Sequence, residues 1–173
     1  MTDLYEKIVS QRSGLERIIA RIPGFRGYKE MTARREADRM IREHIVTLLK
    51  EQMQRFIAAE KQMLSKGGLS AATKTREAKT QFQIFIDRVN TAAPGYAGFY
   101  AAQKIGPEQL EKIYAFDAAL IEYVDYFRTA IEAFDAAARS GEGLDEAISK
   151  LEMIAIEANA AFNMRDNVVT EIS

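Results

Sequence analysis

Apolar side chains recur along most of this chain at alternating steps of three and four, the spacing that aligns one face of an α-helix. Leu4, Ile8, Gln11, Leu15, Ile18 and Ile22 predict a first helix over residues 2–22, capped by Thr2 or Asp3 and stopped by Pro23-Gly24. Gly14 sits in its middle, where it weakens the helix by up to about 1 kcal/mol relative to Ala. Ala37, Ile41, Ile45, Leu48, Gln52, Phe56, Ala59 and Met63 predict a second helix from about residue 28 to residue 65. At the rise of an α-helix that is a rod of roughly 55 Å.

Gly67-Gly68 ends this rod, and Ser70 is placed to cap a third helix carrying Thr75, Ala78, Phe82, Phe85 and Val89. The segment from Val89 to Gln103 holds no formal charge and reads as an ordered connection ending at Gly106. Pro107 and Glu108 open a fourth helix, since proline suits the first turn and an acid suits the positive end of the helix dipole. Its stripe is the cleanest in the chain: Leu110, Ile113, Asp117, Leu120, Val124, Phe127, Ile131, Phe134 and Ala138. Ser140-Gly141-Glu142-Gly143 separates it from a fifth helix with Leu144, Ile148, Leu151, Ala155, Ala158, Phe162, Arg165, Val169 and Ile172.

Tight connections at 66–69 and 140–143 make helices two and three one antiparallel hairpin and helices four and five another. The expected fold is all-α: an elongated up-down bundle of about five helices. A four-helix core is joined by the N-terminal helix, in a single domain over residues 1–173. A chain of 173 residues with 47% hydrophobic content is long enough to bury such a core.

Two polar residues fall on the apolar seams. Counting outward from the turn between Gly141 and Glu142 sets Asp117 opposite Arg165, which predicts a structural ion pair, because an unpartnered charge there is costly. A catalytic carboxylate is the sharper alternative for Asp117, and no second carboxylate or general acid is evident to support it. His44, the sole histidine, lies one turn from Ile41 and Leu48. It is expected to be half-buried with a hydrogen-bonded ring nitrogen.

The remaining chemistry is negative. There is no cysteine, which removes thiol catalysis and thiolate metal sites. A bundle metal centre needs Glu-x-x-His pairs from two helices, and one histidine cannot supply them. No nucleophile elbow or glycine-rich phosphate loop occurs. No cofactor, metal or catalytic residue is assigned, and the chain is not expected to be an enzyme.

Charge is the strongest hint about partners. Residues 1–92 carry 18 Lys and Arg against 11 Asp and Glu, whereas residues 93–173 carry 6 against 14. Arg35, Arg39 and Arg42 share one face of the second helix, though Glu30 and Asp38 stand four residues before Arg34 and Arg42 and give well-oriented ion pairs. Alternating signs of this kind favour a solvated helix. Two loops repeat the pattern Pro-Gly-aromatic-x-Gly-aromatic, at 23–28 and 94–99. Phe25 and Tyr28, Tyr96, Phe99 and Tyr100 either fold inward to cover a bundle end or form an exposed interaction patch with Arg26.

The function expected is a non-enzymatic helical adaptor or assembly module working through protein–protein association, with a protein partner or as a homo-oligomer. The alternative is a small-molecule-binding bundle with the 96–100 segment as an aromatic lid. Nucleic acid is not an expected partner, since no groove-entering motif accompanies the basic residues. A transmembrane segment is not expected, contact with an anionic membrane is disfavoured, and the expected location is the cytoplasm.

Overall fold

The computed structural model describes residues 14–25, 27, 31–67, 69–91 and 106–172; within these helices the side chains of 31–35, 166 and 168–172 are not included. Among the described residues there are five α-helices and no strand: α1 (Gly14–Arg21), α2 (Met31–Ser65), α3 (Ala72–Thr91), α4 (Pro107–Ser140) and α5 (Leu144–Ile172). The expected first-helix residues 2–13 and residues 92–105, which hold most of the expected connection, lie outside the described residues.

Helix ends follow local chemistry. Gly106 is extended, Pro107 takes the first helical position, and Glu108 lies in the first turn of α4. The helix closes at Gly141, whose φ of 79° belongs to the left-handed region and lets its N–H reach the Ala137 carbonyl at 2.8 Å. Ser70 was the expected cap of α3. It stands instead inside a 3-10 turn, Leu69–Ala71, and the α-helix begins just beyond it at Ala72.

The four long helices form a square in which α2 packs on α3 and α4, and α5 packs on the same two. The hairpins α2/α3 and α4/α5 are therefore two opposed layers. Direction alternates along the chain as an up-down bundle requires. Lateral order does not follow the chain: α3 and α4 are consecutive but diagonal. Lys66, just past α2, donates to the Arg139 carbonyl near the end of α4, so these neighbours run in parallel. Lys74–Asp145 and Arg88–Asn159 place α3 parallel to α5 in the same way. Residues 92–106 join the two helices of one diagonal.

One continuous apolar core fills the square. Phe82 of α3 stacks on Phe127 of α4 with ring centroids 4.1 Å apart, and Phe56 of α2 meets Phe134 of α4 edge-on at 5.2 Å. Each such pair adds about 0.5–1.5 kcal/mol beyond area burial. The seam of α2 is Asp38, Ile41, Ile45, Leu49, Gln52, Phe56, Ala59 and Met63; Leu49 takes the core position expected for Leu48, which is only partly buried. In α4 burial extends well beyond one stripe, to Tyr114, Ala118, Ile121 and Tyr123, because this helix packs on α1 as well as on α2 and α5.

Helix α1 lies along α4 and points the same way. Gly14 makes this contact close: a Cβ at that position would stand 2.5 Å from the Tyr114 carbonyl carbon. Arg17 pairs with Glu122 at 3.2 Å, and Arg21 grips Asp125 with two bonds of 2.7 and 3.0 Å. The Asp125 carboxylate raises the Arg21 pKa above its usual value. Among the described residues no helix is long and apolar enough to cross a membrane.

Candidate functional site

Two features stand out from an otherwise apolar and conventional bundle: a buried ionic chain at one end, and the opposite electrical character of its two layers.

The ionic chain begins with Asp117, on the apolar seam of α4. The structure brings it to Arg165 of α5, whose Nε donates to Oδ1 at 2.5 Å, and both side chains are sealed from solvent. The same guanidinium donates from its NH2 group to Asp38 of α2 at 3.0 Å. Asp38 in turn accepts from Arg42 Nε at 2.7 Å, and Arg42 Nη1 donates to the Asn90 carbonyl at the end of α3. Two carboxylates and two guanidiniums thus alternate through all four helices. Each buried charge faces an opposite one, which is the condition for tolerating it in a low-dielectric core. The arrangement ties α2, α4 and α5 to one another at this end of the bundle.

Asp38 is the member that sequence reading missed. It was paired with Arg42 as part of a solvated face, yet it is 1% exposed. A signal existed: stepping back three from Ile41 lands on Asp38, on the same seam.

His44 is half-buried, but its Nε2 has no hydrogen-bond partner among the described residues. The expected ring hydrogen bond is not made by that atom among the described residues. Burial, assisted by the nearby Arg21 charge, lowers its pKa below the usual value for histidine. Gln52 Oε1 and Tyr123 Oη are likewise buried without a partner among the described residues. Burial first, then the charge of Glu157 and the neighbouring Tyr126, pushes the Tyr123 phenol upward.

The expected interaction residues do not form one patch. Phe25 is 5% exposed and packs edge-on against Tyr114, so it belongs to the core and not to an exposed aromatic surface. Arg42 is turned into the ionic chain, leaving Arg39, 67% exposed and 3.8 Å from Glu43, as the solvated member of that face. The Arg35 side chain and all of Arg26, Tyr28, Tyr96, Phe99 and Tyr100 lie outside the described residues.

The layers are the second feature. Helices α2 and α3 together carry 11 Lys and Arg against 7 Asp and Glu, and α4 and α5 carry 5 against 13. Some of this difference is neutralised within the molecule by Arg17–Glu122, Arg21–Asp125 and Lys74–Asp145. Much is not. Among the described residues Glu132, Glu142, Glu146, Glu152 and Glu157 have no cationic partner, and Lys50, Arg55, Lys61 and Arg76 have no anionic one.

On α5 the acidic layer also exposes oil. Met153 and Ile156 are 53% and 49% exposed, three residues apart on one helix face, and with Ser149, Glu152 and Glu157 they line an open groove of about 490 Å³. Sequence reading assigned no residue here, because the pattern of α5 shows its buried stripe and the exposed pair sits beside it.

Among the described residues no three His, Asp or Glu side chains stand close enough together to hold a metal ion. No protein-family model, curated protein or solved structure matches this chain.

Proposed function

We propose that this chain is a non-enzymatic helical assembly module that works by binding protein through its acidic α4/α5 layer. The observation that carries this reading is the Met153–Ile156 pair, held in the open between Glu152 and Glu157. Exposed apolar side chains rimmed by charge are the usual anatomy of a protein contact, in which burial supplies affinity and the rim supplies orientation. The open, carboxylate-lined groove suits a polypeptide bearing basic and apolar side chains better than a small apolar ligand.

The ionic chain supports the same reading from inside. Arg165 is bound to both Asp117 and Asp38, so the most polar residues of the core serve alignment of the helices. Such alignment suits a rigid scaffold, whose outer layers keep a fixed relation to one another.

The test is a double substitution, Met153→Ser with Ile156→Ser. Both side chains are half exposed, so the fold should be kept, with far-UV circular dichroism and melting temperature close to the parent. Protein association, followed by sedimentation and by capture on the immobilised chain, should drop at least tenfold. Unchanged association in a folded double variant would overturn the assignment to this face.

A further inference from the structure

The two layers lie on opposite sides of the square and carry opposite charge, and this decides how a second copy can fit. On the outer face of α2, Arg39, Lys50 and Lys61 recur every eleven residues, close to three helical turns, so they form one exposed basic stripe. Glu36, Glu43, Glu51, Glu77 and Asp87 dilute the layer, Glu43 by standing 3.8 Å from Arg39, without reversing its sign. It has exposed apolar residues of its own in Leu64, Leu69 and Ile84. The acidic layer answers with Glu146, Glu152 and Glu157 around Met153 and Ile156. Each layer offers what the other lacks.

We infer that the partner is a second copy of this chain, docked heterologously: the α4/α5 layer of one molecule receives the α2/α3 layer of the next. This rests on the association reading above and adds the identity of the partner and the symmetry of the contact. A two-fold dimer built on the α4/α5 layer would set one acidic layer against another, and like charges opposed across an interface are strongly unfavourable. Heterologous docking sets carboxylates against the Arg39–Lys50–Lys61 stripe. It also leaves a free acidic layer on one molecule and a free basic layer on the other, so addition continues until concentration or salt stops it.

Neutralising one layer at a time tests this on the full chain. Glu146→Gln/Glu152→Gln removes acidic charge from α5, and Arg39→Gln/Lys50→Gln/Lys61→Gln removes the stripe on α2. These positions lie outside the core, and circular dichroism checks that each variant is folded. The parent should grow in sedimentation mass with concentration at low salt. Each neutralised variant alone should stay near the 19.5 kDa monomer. An equimolar mixture of the two should form a one-to-one complex, at about twice the 19.5 kDa monomer mass, and go no further, because one intact acidic layer meets one intact basic layer.

Several results would overturn the inference, and they separate it from the broader reading. A parent that associates while the mixture stays monomeric rules out heterologous docking and leaves association standing. A parent that stays monomeric while capturing another protein through Met153 and Ile156 removes the second copy as partner. A monomeric parent that captures nothing removes both.

Discussion

Arg165 of α5 reaches Asp38 of α2 at 3.0 Å across the diagonal of the bundle, joining residues 127 positions apart. With Asp117 on its other side and Arg42 beyond Asp38, this guanidinium ties the two layers together at one end. Arg165→Met should therefore cost about 3–5 kcal/mol in urea unfolding, because it removes the cation that stands between the buried Asp117 and Asp38 carboxylates. The double change Asp117→Leu/Arg165→Met, which leaves Asp38 with Arg42, should be far milder than the single one, since it removes the Asp117–Arg165 charges and their desolvation together. A single variant as stable as the parent would mean that the carboxylates find water or protons without difficulty.

Gly14 gives a prediction whose sign is diagnostic. By helix propensity alone, Gly14→Ala should stabilise by up to about 1 kcal/mol. The 2.5 Å approach to the Tyr114 backbone reverses this: the added methyl must push α1 away from α4, at a cost of about 1–3 kcal/mol. The melting temperature should fall, and limited proteolysis should cut near α1 sooner. A rise in melting temperature would show that α1 does not pack so closely.

Tyr123 should tolerate loss of its hydroxyl. Its Oη is buried without a partner among the described residues, and an unmet hydroxyl costs about 1–3 kcal/mol. Tyr123→Phe is expected to match or exceed the parent in urea midpoint. A clear loss of stability would show that the hydroxyl is bonded in solution.

Acid should weaken the fold partly through His44. Its folded pKa lies below the unfolded value near 6.5, so the unfolded chain binds the proton more readily. The contribution is present in full above about pH 6.5 and is lost as the pH falls through the folded value. Between pH 7.5 and 5.5 the parent should lose more melting temperature than His44→Gln. Equal losses would remove His44 as the source.

Much of this architecture is legible before any coordinates. Steps of three and four locate the helices because burial of one face is what stabilises them, and the turn at Gly141 fixes the register that sets Asp117 against Arg165. The lateral order is not legible, since pattern records that α3 and α4 each bury a face but not which neighbour covers it. Asp38 was hidden for a related reason. An acid four residues before an arginine looks like a surface pair, and only the diagonal partner on α5 draws it inside. Gly14 was read as a weak point in a helix; its value lies in a contact with α4, nearly a hundred residues away. Met153 and Ile156 escaped notice because an exposed apolar residue leaves no periodic trace.

The most direct test of the account is light scattering by the full chain from about 0.1 M to about 1 M salt, which shortens the screening length from about 10 Å to about 3 Å. Association driven by opposed layers predicts a mass above the 19.5 kDa monomer at low salt, rising with concentration and falling toward the monomer as salt increases. A mass of 19.5 kDa at every concentration and salt, with no protein retained by the immobilised chain, would contradict it.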